Sequence, residues 1–248
     1  MKAELYALTH RGNPGDVAFY RRVCRGAKSV LELGSGAGRL LAALASTRRR
    51  IVGLELDTEL LALAKRNLRA LPLAKRSSLR MIRADMRDFE LEQRFERVLL
   101  PYNALYCLLG QRAALACFRA AHRALAPGGM LILDVWNAQP FHVGRAPRSF
   151  ADDAEPIVSV RHLGRTWDVF ERSRVRRAQQ RLDVSYSYVP REGGSEYQIS
   201  IAQRFFLPAE ISDLLKQAGF SVVARYGDFS GTRFDARAPQ LIVLARAA

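Results

Sequence analysis

Apolar positions along this chain alternate between two periods. Residues 29–33, Ser-Val-Leu-Glu-Leu, are a short and mostly apolar run, as a strand buried on both faces requires. Leu40, Leu41 and Leu44 then recur at helical spacing and predict a helix over about 38–47. Strand-like runs return at 51–55, 79–83, 95–100 and 130–135. Between them lie a helix capped by Asp57 or Thr58 that runs to about Leu71, with Pro72 beyond it, and another over 111–125, stopped by Pro127-Gly128-Gly129. An amphipathic stretch at 14–27, with Pro14 suited to its first turn, precedes the first strand. Strands alternating with helices predict a parallel α/β sheet with right-handed crossovers.

The helical period then disappears. Residues 165–175, 182–189 and 197–206 alternate apolar and polar side chains, and Glu192-Gly193-Gly194 marks a hairpin turn between the last two. A helix follows, opened by Pro208, with Glu210 in its first turn and Gly219 at its end, and then strands at 220–226 and 240–246. The expected organisation is one α/β domain made of 29–139 and 207–248. Residues 140–206 are inserted in it as an antiparallel β meander, and 1–28 precede it as an N-terminal helical segment.

Chemistry concentrates where the first strand meets its helix. Val30-Leu31-Glu32-Leu33-Gly34-Ser35-Gly36-Ala37-Gly38-Arg39 is strand, tight loop and helix start. Glycine lets main-chain N–H groups approach a ligand, and the following helix points its positive end at it. Glu55 lies 21 positions past Gly34, at the end of the second strand, where an acid can accept hydrogen bonds from ribose hydroxyls. A dinucleotide loop needs G-x-G-x-x-G so that its third glycine permits close packing of helix on strand. Here that position is Arg39 and the glycines fall at 34, 36 and 38. Glu32 adds a carboxylate inside the strand, which suits a ligand carrying an ammonium group better than a pyrophosphate.

Composition narrows the class. A hydrophobic content of 49% excludes a disordered chain, and no apolar run of about 20 residues is present to span a membrane. The start, Met1 to Tyr6, lacks the apolar core of a signal peptide. Cys24, Cys107 and Cys117 are too far apart for a CxxC site and odd in number, so reduced thiols and a cytoplasmic protein are expected. The net charge of +15 invites a nucleic-acid reading. Against it, 34 arginines outnumber five lysines and are scattered along the chain.

The glycine loop, Glu55 and the later Asp85-Met86, in that order and spacing, resemble the class I S-adenosylmethionine-dependent methyltransferases. The resemblance implies a Rossmann-like seven-stranded methyltransferase sheet closed by one antiparallel strand. It places Gly34, Ser35 and Gly36 under the methionine half of S-adenosylmethionine, Glu55 and Leu56 at its ribose, and Asp85 and Met86 at its adenine, with Glu32, Pro101 and Tyr20 as further contacts. Arg39 either pairs with the cofactor carboxylate or only projects from the helix. Pro101-Tyr102-Asn103, the Asp134-Val135-Trp136-Asn137 segment and the inserted β region look like small-molecule N-methyltransferases acting on amino sugars or amines.

The implied reaction is methylation of a small amine by proximity, without a dedicated strong base. Tyr102, Asn103, Tyr106, Trp136 and His142 are the candidates to line the acceptor site. Duller roles stay open: Tyr102 and Asn103 as the start of a helix, Trp136 as core, His142 as a solvated loop residue, Tyr20 as packing. Alternatives are an O-methyltransferase with His142 or His10 as base, and a methyltransferase-fold protein associated with RNA. No metal site is expected; the resemblance implies that residues 140–206 form a substrate lid, with a homodimer contact as a further role, and that residues 1–28 form an N-terminal lid.

Overall fold

The computed structural model describes residues 1–144 and 153–247, so part of the insertion expected over 140–206 lies outside the described residues. Helices α1 (Lys2–Thr9) and α2 (Asp16–Val23) precede strand β1 (Ser29–Leu33). Then come α3 (Arg39–Leu44), β2 (Arg50–Glu55), α4 (Thr58–Arg69), the single turn α5 (Leu73–Arg76), β3 (Leu79–Arg83) and β4 (Phe95–Leu100). A 3-10 turn at Ala104–Cys107 leads into α6 (Gln111–Ala124), β5 (Leu125–Trp136) and α7 (Ala138–His142). The inserted strands are β6 (Glu155–His162), β7 (Arg165–Arg176), β8 (Arg181–Pro190) and β9 (Tyr197–Arg204). Helix α8 (Pro208–Gln217) and strands β10 (Phe220–Tyr226) and β11 (Gln240–Ala247) end the chain.

Seven strands form one sheet in the order β10-β11-β5-β4-β1-β2-β3, and four form a second, β6-β7-β8-β9. In the large sheet β1 pairs in parallel with β2 on one side and β4 on the other, and β11 runs antiparallel between β5 and β10. Chain order therefore reverses at β1, and the crevice outside the carboxyl ends of β1 and β4 is where such sheets bind ligands. Every residue of β1 is buried. Leu31 and Leu33 enter the core on one face and Val30 the core on the other, as strand alternation dictates.

The strands of the large sheet follow the apolar runs closely. Three expectations need correction. The meander has four strands, because β6 also pairs with β7; its residues are mostly exposed and its pairing slips between Pro156 and Val158, so no apolar alternation announces it. The first helix is α1, whose eight residues bury Leu5 against the second sheet. Strand β5 starts at Leu125, which pairs with Phe95 before the register shifts; the Pro-Gly-Gly sequence sits within that irregular start.

Candidate active site

A cavity of about 1020 Å³ opens at the carboxyl ends of β1 to β4. Its floor is the glycine loop, with Gly34, Gly36 and Gly38 at φ of 65°, 53° and 78°, values that favour glycine. The loop is tied to the next strand, since Ser35 donates from both its N–H (2.9 Å) and its hydroxyl (3.0 Å) to the Leu54 carbonyl. Gly36 N–H donates to Glu55 Oε2 at 2.7 Å, and Asp57 N–H to Glu55 Oε1 at 2.9 Å. Asp57 then caps α4 by accepting from Glu59 and Leu60 N–H. One carboxylate thus fixes both loops that flank the crevice.

Glu32 lies beside this loop, 3% exposed, with Oε2 lacking any hydrogen-bond partner. Burial pushes its carboxyl well above the usual carboxylate range; Arg39 pulls it down, while Glu55 and Asp16 push it further up. Such an atom is costly to bury alone and would be completed by a cation in the cavity. Leu56 and Met86 also face the cavity, with Leu56 54% exposed. Asp85 stands next to them in a fork with Arg87 (Nη2 to Oδ2 2.5 Å), which holds its carboxyl below the usual range.

The structure brings Glu32, Gly34, Ser35, Gly36, Arg39, Glu55, Leu56, Asp85, Met86, Pro101 and Tyr102 to this one cavity. Arg39 meets Asp16 there in a two-pronged ion pair, at 3.0 and 2.5 Å, so its charge is already matched. Three candidates stand elsewhere. Tyr20 is fully buried beneath the site, where its hydroxyl donates to Asp134 Oδ1 at 2.5 Å. Asn103 accepts from Trp136 N–H at 2.7 Å and opens the 3-10 turn, a scaffolding role. His142 ends α7 rather than lying in a loop, and packs against Phe205 away from the cavity. Two further acceptor-site candidates lie outside the cavity lining: Tyr106 is buried, its hydroxyl donating to the Trp136 carbonyl at 2.8 Å, and the half-buried Trp136 ring packs among Tyr106, Phe141 and Phe205.

Residues 30–129 match the model of a methyltransferase domain. The chain is similar to the dTDP-3-amino-3,6-dideoxy-alpha-D-glucopyranose N,N-dimethyltransferase of Streptomyces fradiae, with 29% identity over 245 residues, 92% of this chain and 87% of that protein. Its fold is similar to that of the CcbJ methyltransferase from Streptomyces caelestis: TM-score 0.80, 26% identity, 96% of this chain and 97% of that one. It is also similar to CalS10 from Micromonospora echinaspora, an amino pentose methyltransferase solved with its S-adenosylmethionine bound: TM-score 0.70, 25% identity, 99% and 96% covered. The chain is an S-adenosylmethionine-dependent methyltransferase.

The methyltransferase's own geometry fits that donor. The unpaired Glu32 oxygen matches an ammonium, the bare main chain of Gly34 to Gly36 leaves room for the methionine half, and exposed Leu56 offers apolar cover for a ring. Asp16 is marked by nothing local, and Asp134 only as part of the 134–137 segment; each works through a partner distant in the chain, Asp16 on Arg39 and Asp134 on Tyr20. Tyr6 from α1 also lines the cavity, with His10, the residue that ends this helix. The signal was faint: an eight-residue helix whose apolar side is explained only by the sheet it docks on.

Proposed function

We propose that this methyltransferase methylates an amine nitrogen of a small-molecule acceptor by proximity-driven in-line displacement. The observation that carries the reading is the cavity itself. The glycine loop with Glu32, Glu55 and Asp85 lines one part of it, and the rings of Tyr6 and Tyr102, with the imidazole of His10, line another. Aromatic faces favour cations, as an amine acceptor is before it loses its proton. The amino-sugar acceptors named for the Streptomyces fradiae and Micromonospora echinaspora proteins support the same class.

In this reading Glu32 holds the cofactor's ammonium, the N–H groups of Gly34 to Gly36 lie against its methionine half, and Glu55 accepts from the ribose. Asp85, Leu56 and Met86 border the adenine, and Pro101 and Tyr102 border the reacting end. Bound there, S-adenosylmethionine supplies a methyl group activated by its sulfonium. The chain's residues have to align the acceptor, exclude water and let one proton leave. The reading assigns the protein to the cytoplasm, in keeping with three free thiols, and needs no nucleic acid; no described helix is long and apolar enough to cross a membrane. The inserted sheet serves as the acceptor lid and as the surface for a homodimer contact.

The test is incubation with methyl-labelled donor and a panel of amines, amino sugars and phenols across pH 6 to 9. Label should enter amines, at a rate that grows as the acceptor deprotonates. Label confined to hydroxyl acceptors, with a flat profile, would overturn the reading.

A further inference from the structure

The far wall of the cavity holds an imidazole whose hydrogen position is fixed by its partner. His10 ends α1, and its Nδ1 lies 2.9 Å from the Tyr6 carbonyl oxygen. A carbonyl only accepts, so Nδ1 carries the hydrogen and the neutral ring presents its lone pair at Nε2. The ring stacks on Tyr6 (3.9 Å between centroids), meets Tyr186 of β8 edge-on at 4.7 Å, and stands 6.4 Å from Tyr102. Glu171 of β7 is the charged group that acts on it. His10, Tyr6 and Tyr102 all line the cavity. Burial holds the imidazole below its ordinary value near 6.5, against the opposing pull of the Tyr6 carbonyl and Glu171. The ring is therefore neutral at pH 7 and able to take a proton.

We propose that His10 is the catalytic residue that accepts the acceptor's proton, at Nε2, while the Tyr6 and Tyr102 rings hold the acceptor's ammonium form. The proposal rests on the amine reading above. The acceptor enters as an ammonium; one N–H bond breaks, its electron pair stays on nitrogen, and an Nε2–H bond forms. That pair makes the new N–C bond as the C–S bond breaks with its electrons left on sulfur. A methylammonium product and a thioether result, and the imidazolium returns its proton to water. Of the other candidate bases, Glu32 and Glu55 border the glycine loop, Asp134 is buried and held by Tyr102 N–H, and His142 is outside the cavity; His162 also lines the cavity, with its Nε2 3.8 Å from Glu4.

His10→Asn keeps a donor near the Nδ1 position and removes the Nε2 lone pair. In the wild type, kcat/KM should fall as the pH drops through a value below the ordinary histidine range. In His10→Asn that acid limb should vanish and kcat at pH 7 should drop by roughly 100-fold, with the deficit shrinking as the pH nears the acceptor's own ammonium pKa. Cofactor affinity measured by calorimetry should be unchanged. Nitrogen-15 NMR of the free protein should show His10 neutral at pH 7 with the hydrogen on Nδ1. A charged ring at pH 7, or a variant that keeps the acid limb and loses less than about 3-fold in kcat, would overturn the proposal. An enzyme that methylates amines but ignores His10→Asn sinks the proton-acceptor role alone. An enzyme that labels only hydroxyls sinks the amine reading and this proposal together.

Discussion

At the scale of single residues, Glu32 shows how a site can be built at a cost in stability. Its carboxylate is buried, one oxygen is unpartnered, and its pKa is raised first by burial. A raised folded-state pKa means the native protein binds this proton more tightly than the unfolded chain does. The group's contribution to stability is therefore present at acid pH and is lost as pH climbs above the ordinary glutamate value. An ammonium seated against Glu32 would reverse the preference and expel the proton. Cofactor binding should then release protons, detectable by calorimetry in buffers of different ionisation enthalpy, and should tighten as pH rises above the ordinary glutamate value. Glu32→Gln should raise the melting temperature of the free protein, abolish the proton release, and weaken cofactor binding by about 1.5–3 kcal/mol, the worth of a hydrogen bond to a charged group. Unaltered affinity would detach Glu32 from the donor. Arg39 behaves oppositely: its guanidinium is already answered by Asp16, so it joins α2 to the start of α3.

The loop after β4 depends on its neighbouring strand for its backbone conformation. Tyr102 and Asn103 are consecutive non-glycine residues at φ of 53° and 61°, each costing about 1–2 kcal/mol. Neighbouring strand β5 holds them there. Asp134 Oδ1 accepts from Tyr102 N–H at 3.0 Å and from the Tyr20 hydroxyl, the Asp134 carbonyl accepts from Asn103 N–H, and Trp136 N–H donates to the Asn103 side chain. Burial raises the Asp134 carboxyl to about 6, with Tyr20 and Tyr102 N–H pulling the other way. Its contribution to stability is accordingly full below about pH 4 and lost as pH rises towards 6. Asp134→Asn should remove that slope, so that its denaturation midpoint relative to wild type improves by an equivalent of about 3 kcal/mol between pH 4 and 7. Parallel profiles would show that Asp134 does not titrate there.

The same element explains what the sequence could and could not reveal. β1 and β2 are legible because short, mostly apolar runs end in turn residues, and Glu55 is visible in the sequence because it closes β2. Tyr20 and Asn103 were misjudged as ligand contacts because their partners, Asp134 and Trp136, are more than 30 positions away along the chain. His142 was expected in a loop, but the chain turns into α7 directly after β5.

Taken whole, the molecule divides its cavity between two bodies of unequal anchorage. The half with the glycine loop belongs to the seven-stranded sheet, with an apolar core on each face. The opposite wall comes from α1, which belongs to neither of those cores. Its Leu5 is wholly buried in a third, smaller cluster with Val160, Trp167, Val169 and Tyr188 of the second sheet. Glu4 reaches back from α1 to Arg66 of α4 at 2.5 Å, on an exposed side chain, and a pair so solvated adds little. Leu5 is the wholly buried anchor of the helix, with Ala3 also buried and Leu8 packed on the same cluster, and the helix carries Tyr6, with His10 at its end. Leu5→Ala should cost about 2–5 kcal/mol locally. If α1 opens as its own unit, amide exchange over residues 3–9 should quicken by about 30-fold or more, while β1 and β4 amides keep wild-type protection. Acceleration spread equally through the large sheet would show instead that α1 and the donor fold unfold as one cooperative body. The acceptor wall could then not move independently of the floor beneath it.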